Sequence, residues 1–380
     1  MLQKSKLRWI PAIAVPAVVI AGAVAIPSMA NAGVSLPSKS AAQIVALAEK
    51  SVGTSFSGTV EQTANLGLPD LSSFAGATSS DDGSGVSDIV SQLSGTHKAR
   101  VFVDGSSKSR VQTLDQLAER DVIRNGTSVW AYDSSDKSAV HLTLPSRDGD
   151  TPSAGATPST GAVPTDPATA AASALKAIGR YTTVSTSDNV RIAGQKAYQV
   201  TLAPNDSSSL ITTATLAVDA TTGVPLRVAV TAKGQTDPAY SVSFTSIDYS
   251  TPAASTFAFT PPQGATVKKI AVPDRSAHAG GTTTKSHPGI TSRNDRIAKA
   301  KAEAQPTVIG TGWSTIIGAK LPTSAISALS SDDTLGQVFT PVDGGRLLKT
   351  ALVTVLITDD GEVYAGAVTP SALQAAVAAQ

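Results

Sequence analysis

Cysteine is absent from the 380 residues. That excludes disulfides, a thiol nucleophile, Cys-based zinc sites and a lipid-modified N-terminal cysteine. The chain can therefore occupy an oxidising compartment without depending on cross-links. Aromatic residues make up only 4%, so core bulk has to come from Val, Leu and Ile. Charged residues are 16% and the net charge is +1, too little of one sign to neutralise a run of phosphates, which argues against nucleic acid as a partner. Catalytic signatures are missing as well. No H-E-x-x-H, H-x-H, G-x-S-x-G or Gly-rich loop ending in Gly-Lys-Ser or Gly-Lys-Thr occurs. The four histidines, His97, His141, His278 and His287, are scattered, two in or beside predicted strands and two in a polar tether. The acid pairs Asp81-Asp82, Asp332-Asp333 and Asp359-Asp360 sit beside Gly, Ser or Thr and read as turns. These features point to a protein that is not an enzyme and needs no cofactor or metal.

The apolar content is 41%, enough for a sizeable core, and one long apolar run occurs, at the N-terminus. Lys4, Lys6 and Arg8 precede an apolar stretch from Ile10 to Ile26, followed by Ala30-Asn31-Ala32. A basic start, an apolar stretch and an A-x-A triplet are the parts of a secretory signal. Residues 1–32 thus read as a signal peptide or an N-terminal membrane anchor, and either assignment places the remainder outside the cytoplasm.

Beyond it, residues 41–50 have helical spacing, with Ser40 as cap and Ile44, Leu47 and Ala48 on one face. From Phe56 the period becomes two. Phe56, Gly58 and Val60 alternate with Ser57 and Thr59, and Ala99, Val101 and Val103 alternate with Arg100 and Phe102. Residues 122–124 lead into the hairpin pair Asn125-Gly126 and on to residues 127–132; Val140, Leu142 and Leu144 follow. A second block alternates in the same way: Tyr198, Val200 and Leu202, then Leu216 and Val218, then Leu226, Val228 and Val230, then Tyr240, Val242 and Phe244. Residues 70–94 read as a long polar loop. Residues 146–169, rich in Pro, Thr, Ala, Gly and Ser, cannot bury enough surface to order themselves, so their removal should be tolerated. Neither block is complete alone, and together they predict one antiparallel meander.

The predicted organisation is residues 33–272 as a main domain with a disordered insert at 146–169, residues 273–305 as linker, and residues 306–380 as a small α+β unit. In that unit residues 324–329 and 373–379 are predicted helices, and residues 352–357 and 363–368 are predicted strands.

Four elements resemble one family. Asn125-Gly126 followed by Trp130-Ala131-Tyr132, Gly194 to Val200 with Ala197-Tyr198, Val218-Asp219 with Thr222-Gly223 and Pro225-Leu226-Arg227, and Phe257-Ala258-Phe259 with Pro261-Pro262 and Gly264 occur in the order seen in LolA-like proteins. The match covers about residues 40–268, and chains of this layout look like the LolA-related proteins of actinobacteria. The resemblance implies an α+β, mostly β fold. It would be an antiparallel half-barrel covered by short helices, whose apolar face takes lipid acyl chains or lipoproteins as carrier or sensor. The resemblance also extends to regulators of the RseB/MucB type, which implies a membrane regulatory protein, such as an anti-sigma factor, as an alternative partner. An unrecognised envelope hydrolase is the remaining alternative. The family's carriers place an Arg before a Pro-containing strand and use it to latch a lid; residues 104–110 have no such Arg-Pro pair, so the latch is not carried over. A monomer is expected. Candidate ligand-binding residues are Phe56, Trp130, Tyr132, Leu142, Tyr198, Val200, Leu216, Val218, Val228, Val230 and Phe244, with Trp130 and Tyr132 expected on one face together with Leu142, Tyr198, Val200, Val228 and Phe244.

Overall fold

Alternating apolar residues in both sequence blocks zip into one twelve-stranded sheet. A computed structural model describes residues 36–67, 95–114, 119–144, 176, 178–271, 306–320 and 339–380. The expected N-terminal signal or anchor, the loop at 70–94, the insert at 146–169, the linker and the helix at 324–329 lie outside the described residues. No helix among the described residues is long and apolar enough to cross a membrane.

The first block supplies β1 (Phe56–Ala64), β2 (Gly95–Asp104), β3 (Lys108–Leu114), β4 (Glu119–Asn125), β5 (Ser128–Asp133) and β6 (Ser138–Thr143). The second supplies β7 (Thr182–Ile192), β8 (Gln195–Pro204), β9 (Ile211–Asp219), β10 (Pro225–Ala232), β11 (Tyr240–Asp248) and β12 (Thr266–Ala271). Their spatial order is β12-β6-β5-β4-β3-β2-β1-β11-β10-β9-β8-β7. Strand β1 is the seam between the blocks, antiparallel to β2 on one side and to β11 on the other. All pairings are antiparallel except the last, where β12 runs parallel to β6. At the far end β7 approaches β11 although three strands intervene, so this half of the sheet curls. Val190 and Ile192 of β7 thereby join Phe56, Phe244 and Ile247 around buried Ala197, Ala217, Val224 and Leu226.

The meander inferred from the sequence is present. Strands β3, β7 and β12 were not anticipated, because their polar content hides the period of two: β3 reads KSRVQTL and β7 TTVSTSDNVRI. The topology also changes the role of the insert. The chain leaves β6 near one edge and re-enters as β7 at the opposite edge, about 48 Å away if the sheet were flat. About 38 residues make this crossing; deleting 146–169 leaves about 14, with a reach of ~46–50 Å. The curl shortens the crossing: β7 comes up to β11, six strand spacings or about 29 Å from β6, so the remaining residues still reach and the segment stays expected to be dispensable. Deletion and an equal-length Gly/Ser replacement should both keep the thermal midpoint within a few degrees of the parent. A midpoint lower by about 5 °C or more in the deletion alone would show that the shortened connection strains the sheet.

Gly58 holds the seam. A Cβ there would collide with the Ser246 carbonyl oxygen and press within 2.9 Å of the Phe244 ring, at the bulge where the β1–β11 register shifts. Gly58→Val should cost about 1–3 kcal/mol by overpacking. Urea unfolding would check it, and an unchanged midpoint would mean that the bulge relaxes freely.

Helix α1 (Ala41–Lys50) forms where its pattern placed it. Ser40 accepts from Gln43 N–H while the Gln43 side chain accepts from Ser40 N–H, a reciprocal cap. Its apolar side, centred on buried Ile44, covers Tyr198, Val200 and Val218. Tyr198 also donates through its hydroxyl to the Pro37 carbonyl.

The C-terminal unit has more strand than its sequence suggested. Six short strands, β13 (Thr307–Ile309), β14 (Ile316–Lys320), β15 (Thr340–Val342), β16 (Gly345–Lys349), β17 (Thr354–Thr358) and β18 (Glu362–Gly366), form a second sheet. Only β17 and β18 were legible, as apolar runs on either side of the turn Asp359-Asp360-Gly361. Helix α2 (Pro370–Ala378) packs Leu373 against Ile316, Leu347, Leu356 and Tyr364. This unit is joined to the main sheet by backbone bonds from Leu210 N–H to Ala367 O, Thr369 N–H to Ser208 O and Ala351 N–H to Leu66 O. Trp313 Nε1 adds a bond to Thr182 Oγ1 at 2.7 Å.

Candidate ligand-binding face

Cross-strand partners in a sheet share a face, so the registers assign every strand residue to one of two sides. On one side an unbroken apolar row crosses five strands: Val101, Val111, Val122, Ala131 and Val140. Beside it Val129 pairs with Leu142, which pairs with Ile270 of β12. Across the seam the same side continues through Val60, Val242, Val228, Leu216 and Val200. Helix α1 covers this side over β7, β8 and β9. Over β2 to β6 the valines are half-buried, with only Ala131 in the row at core exposure.

The opposite side has a different chemistry. Arg110 pairs with Ile123, Ile123 with Trp130, and Trp130 with His141; Asp121 pairs with Tyr132. After β11 the chain crosses this side as a strap. Its 3-10 turn, Ala254–Phe257, lies on β3 and β4 with Phe257 buried. Phe259 then meets the Trp130 ring at 5.4 Å and the Tyr132 ring at 5.6 Å. Arg110 fixes the strap. Its Nε and Nη2 reach the two oxygens of Asp121 at 3.1 and 2.6 Å, and its Nη1 donates to the Thr256 carbonyl at 3.3 Å. Burial pushes the Asp121 carboxyl above the usual aspartate range, against the pull of the Arg110 guanidinium. The Gln112 amide donates to Glu119 in the same cluster.

The eleven candidate residues therefore do not form one site. Tyr198, Val200, Leu216 and Val218 lie beneath α1 as filled core. Phe56 and Phe244 meet edge to face at 5.8 Å at the seam. Val228, Val230 and Leu142 belong to the valine side. Trp130 and Tyr132 face the other way, toward the strap, which corrects the expectation that they share a face with Leu142. The displacement is a single residue step: Trp130 pairs with His141, and Leu142 with Val129. Reading the sequence overlooked the Arg110–Asp121 pair, because β3 was not recognised as a strand. Val101, Val103 and Val140 were not among the candidates although their alternation is visible in the sequence.

His141 lies on the same side of the sheet as Trp130. Its ring stacks on Trp130 at 4.2 Å, and its Nε2 lies 2.8 Å from Ser128 Oγ. A serine–histidine contact is one part of a nucleophile–base arrangement, but among the described residues no carboxylate orients the ring. Among the described residues, no group of three or more acids and histidines could hold a metal ion.

No family model matches the sequence, and no curated protein matches it. Among solved structures the chain is similar to the MucA/MucB complex of Pseudomonas aeruginosa, at 14% identity and a TM-score of 0.42, over 88% of this chain and 96% of that one. It is similar to MucB bound to MucA(peri) at 16% identity and a TM-score of 0.42, over 89% of this chain and 97% of that one. It is also similar to a LolA-superfamily protein from Nitrosomonas europaea at 15% identity and a TM-score of 0.22, over 58% of this chain and 99% of that one.

Proposed function

We propose that this chain is a non-enzymatic, extracytoplasmic binding protein that takes an apolar ligand, a lipid acyl chain or the acyl group of a lipoprotein, on the valine side of β2 to β6. The observation that carries the reading is the row Val101, Val111, Val122, Ala131 and Val140, half-buried and continuous across five strands. Valine has no hydrogen-bonding group, so such a face holds its ligand through removal of apolar area from water, at roughly 25 cal/mol per Å² before ordering costs. The basic, apolar and A-x-A parts of residues 1–32 support a location outside the cytoplasm. The four motif resemblances in sequence order support the same reading.

A second reading, regulation through a protein partner, draws on the small sheet. Val308 and Ile317 pair across β13 and β14 and remain 63% and 53% exposed, on the side away from α2. Exposed apolar pairs of this kind suit a protein contact. Native mass spectrometry of protein purified from its host separates the two. Adducts with the mass of lipid support the acyl site, and a stoichiometric protein companion without lipid supports regulation instead.

A further inference from the structure

Three buried polar atoms without hydrogen-bond partners lie together on the strap side of the sheet, within β8, β9 and β10: Gln199 Oε1, Thr215 Oγ1 and Arg227 Nε. Ala217 pairs with Gln199 on one strand and with Arg227 on the other, so the two long side chains flank its methyl group, which itself packs into the apolar cluster with Ala197, Val224 and Leu226. Thr215 occupies the next position along β9 on that side, and Ser243 of β11 lies directly opposite Arg227. Gln199 is 5% exposed and Thr215 is fully buried. Arg227 makes no ion pair with the described residues, yet its guanidinium stays charged at any physiological pH. Buried polar groups are almost always satisfied, and a partly buried charge without a counter-ion is costly. Three such atoms on neighbouring strands point to one missing partner.

We propose that Arg227, Gln199, Thr215 and Ser243 form a site for a compact oxyanion, a carboxylate or a phosphate. Arg227 supplies the charge and a planar fork of N–H donors that matches either group. The Thr215 and Ser243 hydroxyls rotate to donate, and the Gln199 amide turns its N–H toward the anion by a flip that leaves an acceptor for Thr201, now 3.5 Å from its nitrogen. Arg227 keeps partial exposure, which gives the anion a route in. The site is on the side opposite the valine row, because Val228 and Arg227 are consecutive along β10, so it stands whether or not the acyl site does.

The test uses the full chain, titrated separately with inorganic phosphate and with acetate at an ionic strength held constant with chloride. Heat of binding and thermal midpoint are both followed. Saturable binding of at least one anion, with a rise in midpoint, is expected. Arg227→Gln should weaken it at least tenfold and Thr215→Val by a smaller factor. Preference for phosphate assigns a phosphate-bearing ligand, and preference for acetate a carboxylate. If Arg227→Gln does not fold, Gln199→Leu and Thr215→Val decide the matter, since both remove an orphaned polar atom with little change of shape. No saturable binding of either anion by folded protein overturns the proposal. So does affinity unchanged in every folded variant, or a midpoint no higher in phosphate or acetate than in chloride alone.

Discussion

Replacing Arg110 with methionine should destabilise the protein by about 3–5 kcal/mol, because it leaves the Asp121 carboxylate buried and unpaired. Asp121 is 2% exposed and receives two bonds from Arg110, so no solvent replaces the lost partner. The same change releases the Thr256 carbonyl and with it the strap. Removing both charges in Arg110→Met/Asp121→Leu should recover much of the loss, since the desolvation cost disappears along with the pair. The pH dependence has a definite sign. The Asp121 pKa is raised in the folded protein, so the folded state keeps a proton that the unfolded chain releases. Stability from that proton is full below the unfolded pKa of 3.8 and is lost as pH rises through the folded value. Without Arg110 the folded pKa rises further, so the deficit of Arg110→Met should be larger near pH 7 than near pH 4. Urea unfolding at both values checks this, and a deficit that shrinks as pH rises would mean the carboxyl is not buried in the way described.

Phe257→Ala should cost about 3–5 kcal/mol, the range for deleting a fully buried aromatic side chain. Phe257 is 1% exposed and is the largest of the fully buried side chains among the described residues. It anchors a strap that is otherwise held by Arg110 and by the contacts of Phe259 with Trp130 and Tyr132. Trp130→Ala should cost less than Phe257→Ala, because Trp130 keeps part of its surface in water. Equilibrium unfolding of the two variants side by side tests the ranking, and a larger loss for Trp130 would make the indole, not the strap, the centre of this packing.

The difference between Trp130 and Phe257 shows what the sequence could and could not convey. Apolar alternation in residues 140–144 and 198–202 was legible because one side of each strand is apolar and the other polar. The helix at 41–50 was legible from its cap and spacing. Register was not, since period two says which residues share a face within a strand but not which faces meet across strands. Trp130 and Leu142 are expected on one face from the sequence, and a register offset by one residue separates them. Strand β3 escaped notice because Arg110 and Gln112, on the strap side, hide the single apolar residue Val111 on the other. The crossing of the insert from edge to edge was invisible for a different reason: it is a property of strand order, which no local pattern encodes.

The central claim is that the valine side of β2 to β6 binds an acyl chain, and the most direct measurement is a titration of residues 33–380 with a fluorescent fatty-acyl probe at low and high salt. Val122→Gln/Val140→Gln and Trp130→Ala should be titrated alongside. Saturable binding that is insensitive to moderate salt is expected, because no charge pair drives it. The double valine variant should bind at least tenfold more weakly while remaining folded, and Trp130→Ala, altered on the opposite side of the sheet, should bind like the parent. No saturable binding by folded protein, or equal loss in Trp130→Ala and none in the valine variant, would contradict the account.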